Sequence, residues 1–473
     1  MLNKKRYRRA NPGSARAGAL HVLYAVEVEG AYANLVLDQL LREVPFAKSD
    51  RSFLTELVYG TLRWRGTIDW ILNQVVRSGL DRLTPWIRNI LRLGVYQLLF
   101  MNKIPPSAVC NEGTNLAKRY GHQGVARLVN GVLRSVARRG QDWEYPDPQE
   151  KPVEHIAARY SHPEWMVERW LKRYGQAETI ALCLANNQPA ANSIRTNTLR
   201  LSVEELIQRL QTEGVEVEAS RLVPEGLRLK GLSAYTSLAA FGQGLFQVQD
   251  ESSMLAGYGL GPLPGTRVID TCAAPGGKTT HLAQLMQNRG EILAFDLHDH
   301  KIGLVQENCR RLGVNIVRTS VMDARELPGR WSGWADFVLV DAPCSGLGVL
   351  RRRPDARWHK NPGQIRELVS LQSQILTAAS QCLRPGGTLL YSTCTLEPEE
   401  NEGVVRHFLA AGSDNLSSLD KPGKYYLEDL SQFLPFIPWR EEDRNQIKKG
   451  YLTLLPHIHG TDGFFLARLR RGK

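Results

Sequence analysis

Val268-Ile269-Asp270-Thr271-Cys272-Ala273-Ala274-Pro275-Gly276-Gly277-Lys278-Thr279-Thr280 reads as strand, tight loop and helix start. The apolar run ends in Asp270, small and turn-forming residues follow, and Thr280-His281-Leu282-Ala283-Gln284-Leu285-Met286 continues as helix. Such a unit offers backbone N–H groups and a helix N-terminus to a polar ligand. Ala273, Ala274, Gly276 and Gly277 have little or no side chain, so a ligand can lie against the backbone. A Walker phosphate loop is excluded because Cys272 stands where that loop needs glycine, and no third glycine completes a G-x-G-x-x-G fingerprint. A ligand-less strand-to-helix turn would look similar, but the continuation argues against it. Glu291-Ile292-Leu293-Ala294-Phe295-Asp296 is a second strand ending in an acid, twenty positions beyond Gly276, where a carboxylate suits ribose hydroxyls. The expected ligand is a nucleoside derivative at the top of a doubly wound sheet.

Working outward, strand and helix alternate from about Leu263, as a parallel sheet requires. Further strands are expected at Ile316–Thr319, Asp336–Val340 and Gly387–Tyr391, with a crossover helix at Gln364–Leu383. Asp462-Gly463 is a turn signal, and Phe464-Phe465-Leu466-Ala467 reads as a late antiparallel strand. Acids sit at or just beyond successive strand ends: Asp296, Asp323 and Asp341. Two cysteines follow the fourth and fifth strands, Cys344 in Asp341-Ala342-Pro343-Cys344 and Cys394 in Ser392-Thr393-Cys394-Thr395.

Asp270–Thr279, Asp341–Gly348 and Ser392–Thr395 together resemble the motif set of the RNA cytosine-5 methyltransferases. From about residue 15 to about residue 470 the chain is similar to bacterial members acting on small-subunit ribosomal RNA. The resemblance implies S-adenosylmethionine as cofactor. Its pocket would be formed by Cys272, Ala273, Ala274, Pro275, Gly276, Gly277 and Lys278, with Asp296 on the ribose, Asp323 on the adenine amino group, and Asp341 facing the reaction crevice. Carbon 5 of cytosine is too weak a nucleophile to attack a methyl sulfonium; a thiolate added at carbon 6 makes it an enamine. Position alone does not rank Cys344 against Cys394. The resemblance implies that Cys394 is the nucleophile, that Cys344 assists product release, and that Asp341 hydrogen-bonds N3, as an acid where burial raises its pKa. Lys278 would orient the pocket or contact Asp341, and Thr395 keeps the hydroxyl of the serine found in many relatives. Cys110, Cys183, Cys309 and Cys382 read as small buried apolar groups.

Arg351, Arg352, Arg353, Arg357, Trp358 and Lys360 follow the Cys344 motif and mix cations with an aromatic ring, a composition suited to phosphates and an unstacked base. They are the expected RNA-binding residues. The chain of 473 residues carries a formal net charge of +12, from 60 Lys and Arg against 48 Asp and Glu, which favours a polyanionic partner. Its seven scattered cysteines form no C-x-x-C pair, which argues against disulfides and structural zinc and for a reducing cytoplasm. No metal is expected, His457 and His459 read as structural, and no apolar run is long enough for a membrane span. The basic run Lys4–Arg9 is a solvated tail or a phosphate-contacting arm.

The fold expected is multidomain: an all-α N-terminal bundle (1–140), a helical lead-in with a small α+β RNA-gripping module (141–262), and an α/β Rossmann-like methyltransferase domain (263–473). In the bundle, Asp50 should cap one helix, and Thr84-Pro85 should open another. Leu91-Arg92-Leu93-Gly94 and Val129-Asn130-Gly131-Val132-Leu133 resemble the RNA-binding antitermination factor NusB. Residues 140–154 are polar with three prolines and read as a linker. Ser202 and Glu205 should form a capping box, and Gly244–Asp250 should lead into the catalytic sheet. A monomer acting on ribosomal RNA is expected. A non-catalytic RNA-binding assembly factor is the alternative, and an ATP-driven factor is disfavoured by the defective Walker spacing.

Overall fold

The computed structural model describes residues 13–231, 235–411, 424–436 and 439–473, so Lys4–Arg9 lies outside the described residues. The chain divides into two compact units. The first contains the described residues up to Pro189 together with Leu350–His359; the second contains Ala190–Val349 and the described residues from Lys360 onward.

The first unit is helical: α1 (Ala15–Val28), α2 (Ala33–Glu43), α3 (Lys48–Arg63), α4 (Arg65–Val75), α5 (Pro85–Phe100), α6 (Pro106–Tyr120), α7 (Gln123–Arg139), α8 (Pro152–Tyr160) and α9 (Glu164–Asn186). Apolar stripes at three- and four-residue spacing close into one core, with Leu57, Val58, Ile68, Ile71, Ile90, Leu91, Val129 and Leu133 all buried. Pro85 opens α5 as expected. Asp50 does not cap α3; it lies in the first turn, where an acid still complements the helix dipole. A Cβ on Gly94 would come within 2.4 Å of Leu133 Cδ2, so this glycine lets α5 approach α7. Arg92, 4% exposed, lies 2.6 Å from Asp69 and 3.0 Å from Glu27. The two segments that resemble NusB therefore carry a helix–helix contact and a buried ion cluster.

Residues 140–154 are anchored to the core at Trp143 and Tyr145, while 147–151 are exposed. Trp143 is buried and Tyr145 packs on the core, while Trp70 Nε1 donates to the Glu144 carbonyl at 2.9 Å. Two aromatic rings give this segment more apolar surface than a solvated linker would leave in water. By compactness the lead-in helices α8 and α9 group with this helical unit.

The second unit opens with a four-stranded antiparallel sheet, order β2-β3-β1-β4: β1 (Asn192–Thr196), β2 (Glu216–Ala219), β3 (Gly226–Lys230) and β4 (Phe246–Val248). Helix α10 (Val203–Thr212) follows β1 and carries the expected Ser202–Glu205 capping box. Gly244–Asp250 supplies β4 of this sheet, not an entry to the catalytic one, because Phe246 is buried in the small sheet's own core. Arg195 on β1 is fully buried and bonds to the Gln249 side chain, the Gly277 carbonyl at 2.7 Å, Thr280 Oγ1 at 3.0 Å and Gln284 Oε1 at 3.2 Å. Burial pulls its pKa down to about 9. The small sheet is thus bonded directly to the helix that follows the glycine loop.

The large sheet follows α11 (Glu251–Leu260). It contains β5 (Arg267–Asp270), β6 (Glu291–Asp296), β7 (Val317–Val321), β8 (Ala335–Asp341), β9 (Leu383–Thr393), β10 (Tyr425–Leu427), β11 (Tyr451–Leu454) and β12 (Phe464–Arg471). Helices α12 (Gly277–Leu285), α13 (Asp299–Leu312) and α14 (Pro362–Gln381) supply crossovers. The order is β10-β12-β9-β8-β5-β6-β7, with β11 on β12. Strands β5 to β9 pair in parallel, and β12 runs antiparallel to β9, as its turn signal implied. The chain order reverses between β5 and β8, which opens a crevice beyond their carboxyl ends.

Candidate active site

Asp270 and Asp341 end the two strands that flank this switch point. The loop after β5 turns back on β6: Ala273 N–H donates to the Phe295 carbonyl at 2.8 Å, and Gly276 N–H to the Ala273 carbonyl at 2.7 Å. Gly276 has φ +100°, and a Cβ there would stand 3.1 Å from Val305 Cα, so glycine is required on both counts. Asp296 is 8% exposed and takes only long bonds, from Ala274 N–H at 3.4 Å and His298 N–H at 3.3 Å, with Lys301 Nζ at 3.7 Å. Its remaining lone pairs suit hydroxyl donors.

Asp270, an acid at the end of the first strand, is a site residue that the sequence signals only by that position. Thr279 Oγ1 donates to its Oδ2 at 2.7 Å, while Oδ1 is buried with no hydrogen-bond partner. Burial raises its pKa to about 7. An orphaned buried carboxylate oxygen beside a glycine loop fits a ligand bearing a cationic amine, and with Asp296 the donor set fits an amino-acid nucleoside such as S-adenosylmethionine. Cys272 lies beside it; burial pushes this thiol up to about 12 and keeps it neutral. Asp323 is otherwise engaged, in a fork with Arg325 Nη2 at 2.6 Å and Nε at 3.0 Å.

Two expectations follow. Asp296→Ala should weaken S-adenosylhomocysteine binding by roughly 1.5–3 kcal/mol for each charge-assisted bond lost; calorimetric titration showing unchanged affinity would remove Asp296 from the site. Asp270, with its folded-state pKa raised to about 7, binds its proton more tightly in the folded than in the unfolded chain. Its contribution to stability is therefore full below pH ~4 and lost as pH rises to about 7, a change of at most about 4 kcal/mol. Asp270→Asn should flatten that part of the ligand-free stability profile; urea unfolding at pH 5 and pH 8 measures it, and equal pH dependence in both proteins would contradict the assignment.

At the reaction end, Lys278 Nζ donates to Asp341 Oδ2 at 2.7 Å, and Ser392 Oγ donates to Asp341 Oδ1 at 2.9 Å. Burial works against the Lys278 ammonium, but Asp341 outweighs it and holds the lysine's pKa above the ordinary value. Asp341 is accordingly one half of an ion pair, not an isolated buried acid. Cys344 Sγ and Cys394 Sγ lie 3.2 Å apart, beyond the ~2.05 Å of a disulfide and within thiol hydrogen-bond reach. The Cys394 neighbour first, and burial second, push the Cys344 thiol well above its ordinary pKa. The backbone locks the two cysteine turns together: Gly348 N–H donates to the Cys394 carbonyl at 2.9 Å, and Gly463 N–H to the Gly348 carbonyl at 2.8 Å.

The basic segment does not present all of its expected RNA-binding residues to solvent. Arg357 is fully buried in the helical unit, donating to the Ser161 carbonyl and Asn187 Oδ1 at 2.8 Å each and to the Asn186 carbonyl at 3.2 Å. Trp358 Nε1 donates to the Leu62 carbonyl at 2.8 Å, and Asp355 Oδ2 accepts from Ala33 N–H at 3.1 Å. Three backbone carbonyls at the ends of α3, α8 and α9, together with the Asn187 side-chain oxygen, need donors, and these two side chains supply them. Arg357 and Trp358 are therefore structural and leave the RNA-contacting set. Arg351, Arg352 and Lys360 are half-buried, and Arg353 is exposed.

His459 is structural as read, its Nδ1 taking Leu455 N–H at 2.8 Å and its Nε2 lying 3.3 Å from Asp443. Among the described residues no group of three or more His, Cys, Asp or Glu could hold a metal, and no helix is long and apolar enough to cross a membrane.

Comparison with known proteins adds three family matches. The model of the 16S rRNA methyltransferase RsmB/F family matches residues 258–470, that of the RsmF/B-like ferredoxin-like domain residues 162–235, and that of the NusB family residues 13–138. The probable ribosomal RNA small subunit methyltransferase B of Bacillus subtilis is 38% identical over 97% of this chain and 99% of its own length. The ribosomal RNA small subunit methyltransferase B of Cronobacter sakazakii is 34% identical over 86% of this chain and 94% of its own. Among solved structures, NSun6 from Pyrococcus horikoshii with SFG is 28% identical, with a TM-score of 0.55, over 66% of this chain and 98% of its own.

Proposed function

This chain belongs to the 16S rRNA methyltransferase RsmB/F family, and from that premise we propose that it methylates carbon 5 of a cytosine in small-subunit ribosomal RNA through a cysteine adduct at carbon 6. The observation that carries the reading is the pair of thiols 3.2 Å apart beside the Lys278–Asp341 ion pair. Cys394 is the nucleophile. The short contact lets the Cys344 thiol donate a hydrogen bond to the Cys394 thiolate and hold its charge. Adding Cys394 sulfur to carbon 6 pushes an electron pair onto N3, which is neutralised by a proton that the Lys278 ammonium passes through its paired Asp341 carboxylate.

Residues 272–278, Asp270 and Asp296 would hold S-adenosylmethionine, whose methyl sulfonium would supply the methyl group. Asp323 is left for the adenine amino group only to the extent that its Arg325 fork allows. Cys344 then removes the carbon-5 proton, and the electron pair of that bond expels Cys394 from carbon 6. The main influence raising the Cys344 pKa is Cys394 itself. Bonding Cys394 to carbon 6 removes that influence, so Cys344 ionises more readily at the step that needs a base. The RNA strand is met by Arg351, Arg352, Arg353 and Lys360, and the enzyme works as a cytoplasmic monomer. The test is methyl incorporation into 16S ribosomal RNA from a strain lacking this gene, with bisulfite mapping of the product. Methylation at a base other than cytosine, or none, would overturn the proposal.

A further inference from the structure

A buried carboxylate unused by this mechanism stands behind the two thiols. Glu400 is fully buried in a π-helical turn, Glu399–Gly403, a rare geometry that recurs at functional sites. Its Oε1 accepts from Ser345 N–H at 2.8 Å and Gln372 Nε2 at 2.9 Å, and its Oε2 from Ser345 Oγ at 2.5 Å. These donors are all neutral. Ser345 adjoins Cys344, and its hydroxyl lies 2.8 Å from the hydroxyl of Thr395, which adjoins Cys394. Gln372 also bonds the Pro343 carbonyl at 3.0 Å, and Asn401 holds the Thr395 carbonyl at 3.0 Å.

We propose that Glu400 is a positioning residue for Cys344: it clamps the two cysteine turns together, and its buried charge keeps Cys344 the neutral thiol of the pair while Cys394 carries the charge. A buried carboxylate bonded only to neutral donors is a costly feature, and an amide could satisfy the same donors. In a glutamine, Oε1 would still accept from Ser345 N–H and Gln372, and Nε2 would donate to Ser345 Oγ, whose proton would turn to Thr395. What glutamine cannot supply is the negative charge. The ionisable groups that act on Cys344 are Cys394 and Glu400, and Cys344 in turn acts on Tyr391, which also feels Asp341 and Cys272; the Lys278 cation is paired with Asp341. Glu400 is the one whose carboxylate bonds the residue next to Cys344.

The inference rests on the proposed split of roles between the thiols, but its test needs neither RNA nor methyl transfer. The full-length protein is alkylated with iodoacetamide across pH 6–10, and each cysteine is followed by peptide mass spectrometry. In wild type, Cys394 should react first and Cys344 slowly. In Glu400→Gln, Cys344 should react about ten-fold faster at neutral pH, its profile moving about one pH unit toward acid. Glu400→Asp restores the charge while disturbing the bond lengths, and should return Cys344 to slow reaction; a merely structural role would leave Asp no better than Gln. Unchanged profiles in Glu400→Gln, or equal acceleration of both thiols, would overturn the inference. A wild type in which Cys344 is the fast thiol would instead overturn the role assignment itself.

Discussion

Cys394→Ala should lose methyl transfer by at least about 10⁴-fold and form no covalent RNA complex, since the variant lacks the assigned nucleophile and leaves only the neutral Cys344 thiol nearby. Cys344→Ala should fail differently. It still forms the adduct and still methylates, but nothing removes the carbon-5 proton, so the enzyme stays bonded to its product. On a denaturing gel with substrate RNA and S-adenosylmethionine, Cys344→Ala should give a slow band that protease removes, and the double variant none. The 3.2 Å contact makes the experiment discriminating, because either thiol could reach the same carbon. A trapped band from Cys394→Ala, with none from Cys344→Ala, would reverse the two roles.

Arg357→Ala should destabilise the helical unit by roughly 3–5 kcal/mol, since each buried acceptor left unpaired costs about 1–3 kcal/mol. The Ser161 carbonyl, Asn187 Oδ1 and the Asn186 carbonyl all lose their donor at once. Lysine should not rescue it, because a single ammonium on a flexible stem cannot reproduce the guanidinium fork. Burial has already pulled the Arg357 pKa down to about 9, so part of its charge stabilisation is given up for these bonds. Urea unfolding followed by tryptophan fluorescence measures the loss. A change below about 1 kcal/mol, with weakened RNA binding instead, would return Arg357 to the RNA face.

Local pattern sufficed for the site's scaffold. Apolar runs ending in acids placed β5, β6 and β8, and small residues between a strand and a helix placed the cofactor loop, because backbone sterics and burial on both sheet faces act within a few residues. The antiparallel strand β12 was legible for the same reason, from a turn dipeptide followed by four apolar residues. Partner choice was not. Arg351–Lys360 has the composition of a phosphate-binding loop, yet Arg357 and Trp358 turn inward because helix ends more than 150 positions away in sequence leave carbonyls to satisfy. Phe246 joined the small sheet, Trp143 tied down a proline-rich strap, and Glu400 reached Ser345, each through contacts that sequence spacing does not encode. The sequence by itself determined which residue types could bind a nucleoside and activate a cytosine. Only the tertiary structure decided which polar groups are spent on one another, because a buried donor or acceptor must find its partner wherever the chain brings one within about 3 Å.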